Sequence, residues 1–469
     1  MKIHPNKNYR WMFFVCFGFI AIISIFLRFW YLDRIPTGLV TDELEYILNA
    51  KTLYHTGGSV SSEDWSFWSF TTVPGEMPKG EFPYIISLPF VGPFGLSIFT
   101  ARIGYAIISV LYVLIIFLIA KTLFGSWCGI ASGFLAAINP WSVYYGRTAY
   151  DVPVAITAFL LFFYLIIRLK GPKLLIAVIP LFIAFYSYIG TKVLFLPFVF
   201  LSILGSWFTI HKRREGIWLT LILVLSMSIF SIFIFRIRTL DANTRMGQIY
   251  TPFDQSVTYD VNSQRRLTLE SPLTALFANK AVVYAKNVLN KFTGAFSPTI
   301  LFTNGEGVAT FSLWEHGLFY PLDALFLAIG IMALFNTSPA MFLLFMSIII
   351  ISVLPSVLST VSTSYVHRSS LMFPFFLILM GYGIEKTVIF FQNKKRFVII
   401  LGIVFVYLIL VANFVYLYFF RFPYYNSESF GLSQRLYSRY ISLADIQHSS
   451  VVIITNSSLK KAKVWLSEK

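Results

Sequence analysis

Charge is scarce in this chain. Only 12% of its 469 residues are Asp, Glu, Lys or Arg, about half the quarter that a soluble globular domain carries. That leaves too little polar surface to coat a water-facing body, so lipid must solvate most of the chain. Cysteine is scarcer still. The two present, Cys16 and Cys128, lie in or beside apolar stretches, which excludes a disulfide framework and offers no metal-ligand spacing. Internal repeats, low-complexity tracts and nucleic-acid recognition motifs are all missing. The formal net charge of +16 therefore implies no nucleic-acid partner. Its basic residues fall in short clusters between apolar runs, as the positive-inside rule expects.

What is abundant is hydrocarbon. The chain is 57% hydrophobic with 50 Phe, 26 Tyr and 10 Trp, and its mean hydropathy is +0.73. Trp and Tyr rings collect at bilayer interfaces. A helix needs about 20 apolar residues to cross a bilayer, and roughly eleven stretches qualify. They lie near 11–31, 102–120, 128–141, 152–167, 174–188, 193–208, 217–237, 319–335, 340–355, 371–387 and 397–420. The first could mimic a signal peptide, but the bulky run Arg28-Phe29-Trp30-Tyr31-Leu32 follows it in place of a small-residue cleavage site. An uncleaved first helix is the expectation, and the class is an all-α polytopic membrane protein.

Orientation follows from the short loops. With the N-terminus inside, the cytoplasmic loops hold Lys121, then Arg168, Lys170 and Lys173, then Lys212, Arg213 and Arg214, then Lys394, Lys395 and Arg396. Two long segments, 32–99 and 238–318, and the tail 421–469 then face outward from a plasma membrane protein. In the first segment Leu44, Ile47, Leu48 and Leu53 recur at helical spacing and predict a helix on the membrane surface. A similar stretch in the second runs over 275–296, with Phe277, Tyr284, Val288 and Phe292 on one face.

Charged residues at outward span ends are the candidates for chemistry. Asp42 and Glu43 follow a Pro36-Thr37-Gly38 turn. A carboxylate held against an acceptor hydroxyl can take its proton. An isolated Asp-Glu pair more often caps a helix N-terminus. Asp151 opens the fourth span, and Arg147 four residues earlier could simply pair with it. Lys79, Arg102, Lys192, His367 and Arg368 are the outward bases. Such groups either snorkel to headgroups or hold a lipid phosphate, Arg in bidentate fashion. Their convergence with two acids on one face is more specific than any single member.

The chain resembles the protein O-mannosyltransferase and lipid A aminoarabinose transferase group of the GT-C glycosyltransferase superfamily. The likeness rests on the run from Pro36 to Gly57, on Pro89 to Ser97 with Ala101-Arg102, and on Asn139-Pro140-Trp141 with Tyr145 to Ala149. It continues through Tyr186-Ser187-Tyr188 and Lys192, then Phe296-Ser297-Pro298, Gly305-Glu306 and Gly317-Leu318. It ends with Tyr365-Val366-His367-Arg368, Pro374 and Gly381 to Gly383. The resemblance implies a GT-C-like bundle over 1–420, Asp42 as catalytic base, Glu43 as its partner acid and Asp151 as a second acid. Lys79 falls near a basic position that the family carries before the second span. Outward placement makes Lys79, Arg102, Lys192, His367 and Arg368 the candidates for the donor phosphate, with Arg147, Tyr186, Tyr188 and Tyr365 as supporting residues. Around Lys79 the pattern departs from the commoner Lys-Pro-Pro-Leu form. Relatives often continue into a larger soluble domain, whereas here a strand-like run at Ser450 is soon followed by the end.

The expected activity is transfer of a sugar from a polyprenyl-phosphate donor to an acceptor hydroxyl of a glycan, lipid or protein on the outer face. Phosphate is already a good leaving group, so cations rather than a general acid should absorb the developing charge. In-line displacement would invert the anomeric centre. No cofactor is required. The acidic pair could bind a divalent metal, as in the distantly related oligosaccharyltransferases, but none is expected. The alternatives are a lipid or sugar-lipid transporter, which should carry its charges at mid-membrane within repeated halves, and an inactive scaffold of the same fold.

Overall fold

The computed structural model describes residues 7–60, 80, 82–207, 215–239, 248–269, 271–360, 363–391, 394–433, 435–436, 450–455 and 462–467. Helices dominate. The first third contains α1 (Lys7–Phe29), α2 (Thr41–Thr56), α3 (Phe82–Phe94), α4 (Ile98–Phe124), α5 (Ser126–Ile138), α6 (Pro140–Tyr145) and α7 (Asp151–Arg168). The middle contains α8 (Val178–Ser187), α9 (Thr191–Gly205), α10 (Gly216–Thr239), α11 (Gln255–Arg266), α12 (Pro272–Phe277) and α13 (Lys280–Gly294). Then come α14 (Pro321–Thr337), α15 (Pro339–Ile351), α16 (Leu354–Val357), α17 (Tyr365–Arg368), α18 (Met372–Phe390), α19 (Lys394–Val415) and α20 (Phe422–Tyr425). In the tail, β1 (Ser450–Thr455) pairs antiparallel with β2 (Ala462–Ser467).

Apart from the two tail strands, the described protein is an all-α polytopic membrane protein, with helix within each of the apolar stretches marked in the sequence. Six described helical stretches are long and apolar enough to cross a bilayer alone, and six shorter apolar helices lie among them. One of these, α3, falls in the outer segment that the sequence reading treated as polar. It is only 13 residues long and carries Pro89 and Pro93 in its interior, which disguises it as a turn region. In the second outer segment the predicted 275–296 helix is broken between α12 and α13, and Phe277 is exposed rather than on the buried face.

The centre of the bundle is α18, buried without a break from Met372 to Gly383. Glycine makes this possible. A Cβ on Gly383 would stand 2.0 Å from the Phe326 carbonyl of α14, and one on Gly381 would stand 2.1 Å from Ser132 Oγ of α5. Small residues let membrane helices approach this closely. Arg28, wholly buried on α1, donates from Nε to Ser109 Oγ (2.7 Å) on α4 and from Nη1 to the Ala137 carbonyl (2.9 Å) at the end of α5. A cation is favourable there because helix C-termini carry partial negative charge. By contrast α10 and α19 are the least enclosed of the long spans. Their exposed apolar surfaces are available to lipid.

Candidate active site

The site is built on the start of α2. Glu43 is the third residue of that helix, and its Oε2 reaches back to accept the Val40 amide at 3.0 Å. Glu43 Oε1 accepts the Ala149 amide at 2.7 Å. The remaining lone pairs meet Arg102, whose Nε lies 3.0 Å from Oε1 and Nη2 3.1 Å from Oε2. Both side chains are completely buried. Arg102 also donates to the carbonyls of Pro36 (2.8 Å) and Gly38. One carboxylate thus ties together the loop after α1, the first turn of α2, the second turn of α4 and the loop before α7.

Two expectations are corrected by this knot. Glu43, expected as the partner acid of Asp42, is turned inward and saturated by four donors. Arg102 does not face a phosphate; its guanidinium is committed to Glu43 and to two backbone carbonyls. The helix-capping role weighed for the acidic pair belongs to Glu43. The suggested Arg147–Asp151 pair is absent as well. Arg147 is buried and donates to the carbonyls of Leu27 (2.9 Å), Tyr31 (3.1 Å) and Ile35 (3.0 Å), closing the end of α1.

Asp151 is the centre of a second cluster. Its Oδ2 accepts the Tyr46 hydroxyl at 3.0 Å, and its Oδ1 lies 3.6 Å from His367 Nε2. The other ring nitrogen of His367 is 3.4 Å from the Tyr145 hydroxyl. Edges of Tyr150 and Tyr188 and the face of Phe311 surround the imidazole. Asp42 is exposed on the first turn of α2, four residues before Tyr46. Burial pushes the Tyr46 hydroxyl well above the ordinary tyrosine range, with Asp151 and, more weakly, Asp42 acting in the same direction. Both acids therefore act on one phenol. Chemically, the cluster sets one carboxylate between a phenol that keeps its proton and donates to it and an imidazole that can pair with it when protonated.

Cations flank the cluster. His367 and Arg368 share the single turn α17, whose first two amides, Tyr365 and Val366, donate to the Glu306 carboxylate at 3.0 and 3.1 Å. Arg368 Nη1 donates to Ser359 Oγ at 2.6 Å. Lys192 begins α9, with its ammonium 4.7 Å from the Phe233 ring centre and 5.8 Å from that of Tyr186. Lys79 lies outside the described residues. Its neighbour Gly80 packs against the backbone of Ser187, where a Cβ would stand 1.7 Å from the carbonyl oxygen. Among the described residues no three His, Cys, Asp or Glu side chains gather as a metal ion would require.

All of this lies at one end of the bundle. α7 begins at Asp151 and ends at Arg168; α4 carries Arg102 near its start and Lys121 in its last turn. The cluster therefore occupies the helix ends opposite the basic residues assigned to the cytoplasm. Sequence reasoning missed Tyr46 and Phe311. Tyr46 lies on the buried face of α2 with Glu43, Ile47 and Ala50, where a tyrosine reads as packing. The one available signal was its spacing of four from Asp42.

Residues 82–235, about a third of the chain, match the model of the family described as dolichyl-phosphate-mannose-protein mannosyltransferase. The family match and the motif resemblance name the same group. Asp151, Arg102 and Lys192 fall inside the matched region; Asp42, His367 and Arg368 fall outside it. No curated protein matches the chain. Among solved structures it is similar to the archaeal oligosaccharyltransferase AglB from Archaeoglobus fulgidus in complex with an inhibitory peptide and a dolichol-phosphate. That likeness has 15% identity and a TM-score of 0.48, over 91% of this chain and 56% of that one. It is also similar to ArnT from Cupriavidus metallidurans bound to undecaprenyl phosphate, with 14% identity and a TM-score of 0.45, over 84% of this chain and 63% of that one. The chain thus spans less than two thirds of the length of either.

Proposed function

We propose that this protein is a membrane glycosyltransferase that moves a sugar from a polyprenyl-phosphate donor to an acceptor hydroxyl at the outer membrane face, inverting the anomeric centre. The observation that carries the reading is the joining of Tyr46 and His367 on the one Asp151 carboxylate, where α2, α7 and α17 meet. The family whose model matches residues 82–235 is named for dolichyl-phosphate-mannose transfer, which supports a phospholipid-linked sugar as donor.

Asp42 is the base in this reading. It is the exposed acid of the site, so an acceptor hydroxyl can reach it without breaking the Glu43 knot. Asp151 fixes Tyr46 and His367 around the reacting centre. Arg368 and Lys192 absorb charge as the phosphate departs, a task for which pre-placed cations suffice. No metal and no cofactor enters the proposal.

The test is mass spectrometry of lipids and glycans from cells with and without the chain, followed by the Asp42→Asn variant. Loss of the protein should leave a polyprenyl-phosphate sugar untransferred. Asp42→Asn removes the proton acceptor at nearly constant size, so turnover should fall by about 100-fold or more while donor binding survives. Near-normal transfer by a folded Asp42→Asn would exclude Asp42 as the base. Unchanged lipid and glycan profiles would exclude the activity.

A further inference from the structure

Three successive carbonyls precede the helix that carries Asp42, and each is held by an arginine. Arg102 takes those of Pro36 and Gly38 from inside the bundle. Arg435 Nη1 takes the one between them, that of Thr37. Arg102 is completely buried, whereas Arg435 is exposed. Arg435 belongs to the segment after the last span, 398 residues further along the chain than Thr37.

Gly38 shows how closely that later segment lies. Its φ is not positive, so its conformation does not call for glycine. Space does. A Cβ on Gly38 would stand 2.1 Å from the Phe430 carbonyl oxygen and 3.0 Å from Arg435 Cζ. The glycine of the Pro36-Thr37-Gly38 turn thus admits the backbone of the later segment.

That segment is itself anchored. Phe430 is buried, and its ring lies 6.0 Å from that of Phe422, which meets Tyr144 edge-on at 5.6 Å. Asn426, also buried, donates from Nδ2 to the Ala309 carbonyl at 2.7 Å. Tyr425 stacks on Trp314 with ring centres 5.6 Å apart. A turn closed by the Gly431 amide on the Glu428 carbonyl (3.0 Å) then leads to Arg435. An exposed arginine on a free chain would lose more entropy in reaching one carbonyl than the contact returns. Delivered by an anchored segment, it is already near its place.

We infer that Arg435 is a positioning residue of the active site. With the Phe430 backbone lying over Gly38, it clamps the turn from which α2 starts, and so fixes where Asp42, on the first turn of that helix, is presented. This rests on the reading of Asp42 as base and adds to it a residue from beyond the last span. The same segment holds Ala309 and Trp314, on either side of the Phe311 that faces His367. It therefore ties both outer segments together beside the Asp151 cluster.

Hydrogen–deuterium exchange of the purified full chain in detergent reads the clamp. Arg435→Ala should speed exchange at the start of α2 about fivefold, the worth of one exposed charged hydrogen bond, and leave α4 and α18 as they are. Arg435→Lys, which keeps a charged donor, should restore most of the protection. Tyr424→Ala, at an exposed position of the same segment, should change nothing. Cells lacking the protein, complemented with each variant at matched protein level, read the consequence. By mass spectrometry Arg435→Ala should lower the transferred sugar by about three- to tenfold, since small displacements of a reacting group are costly. Gly38→Ala pushes on the Phe430 carbonyl from the other side and should give the same two effects. The double variant should be little worse than the more damaging single change, because both act on one contact. Should Gly38→Ala fail to fold, Arg435→Ala and Arg435→Lys still decide. Unchanged exchange at the start of α2 in Arg435→Ala, or a rise spread evenly over the bundle, overturns the inference. So does normal transfer despite faster exchange. Identical lipids and glycans in cells with and without the wild type would remove the base reading, and exchange alone would then decide whether Arg435 holds the turn.

Discussion

Replacing Glu43 by glutamine should be among the most damaging small changes in the protein. The side chain keeps its size but exchanges one acceptor oxygen for an NH2 group. Four donors point at the carboxylate. With the amide nitrogen in the Oε1 position it would face Arg102 Nε and the Ala149 amide; in the Oε2 position it would face the Val40 amide and Arg102 Nη2. Either rotamer sets a donor against two donors and leaves the buried Arg102 charge without its counter-ion. Breaking a buried pair from one side costs about 3–5 kcal/mol. Reversible SDS titration of the purified protein reads this as a lower midpoint. Asp42→Asn, one residue away and exposed, should stay within about 0.5 kcal/mol of wild type. Adding Arg102→Met to Glu43→Gln should cost less than the two single changes summed, by about 0.5–3 kcal/mol. A Glu43→Gln midpoint equal to that of wild type would refute the keystone role of this carboxylate.

Gly383→Ala places a methyl against the Phe326 carbonyl and should sharply reduce folded yield in fluorescence-detected size-exclusion chromatography. Gly402→Ala on α19, with nothing within 4 Å of the new methyl, should not. Glu306→Gln tests a titration. Burial raises the Glu306 pKa against the opposing pull of two amides and Arg368, so the folded chain holds a proton that the unfolded chain releases near pH 4.3, the ordinary value of about 4.3 for Glu. The stability this contributes is complete at lower pH and is lost as pH rises through the raised value. Wild type should therefore lose melting temperature relative to Glu306→Gln as pH increases from about 4, and parallel curves would contradict the assignment. Asn262→Cys should react with an impermeant maleimide on intact cells and Arg213→Cys only after lysis; the reverse pattern would invert the membrane orientation.

The bundle was legible because lipid imposes length and hydropathy on each spanning segment. The helix α3 was not, since two internal prolines and a short run resemble a loop. The ordered motifs drew attention to Asp42, Asp151, His367 and Arg368, but they could not separate an exposed charge such as Asp42 from charges buried in building the fold. Glu43 and Arg102 show why. They are 59 residues apart, and nothing local in either segment announces that they neutralise each other.

The two clusters also differ in when they can exist during synthesis. Every partner of Glu43 lies between Pro36 and Ala149, so the knot can close once the ribosome has delivered α7 to the membrane. The Asp151 cluster has to await His367, 216 residues later in the chain. Domains form from the N-terminal side as chains emerge. The nascent protein thus sets the entry of α2 first, and Asp151 spends the middle of biogenesis with Tyr46 but without its imidazole.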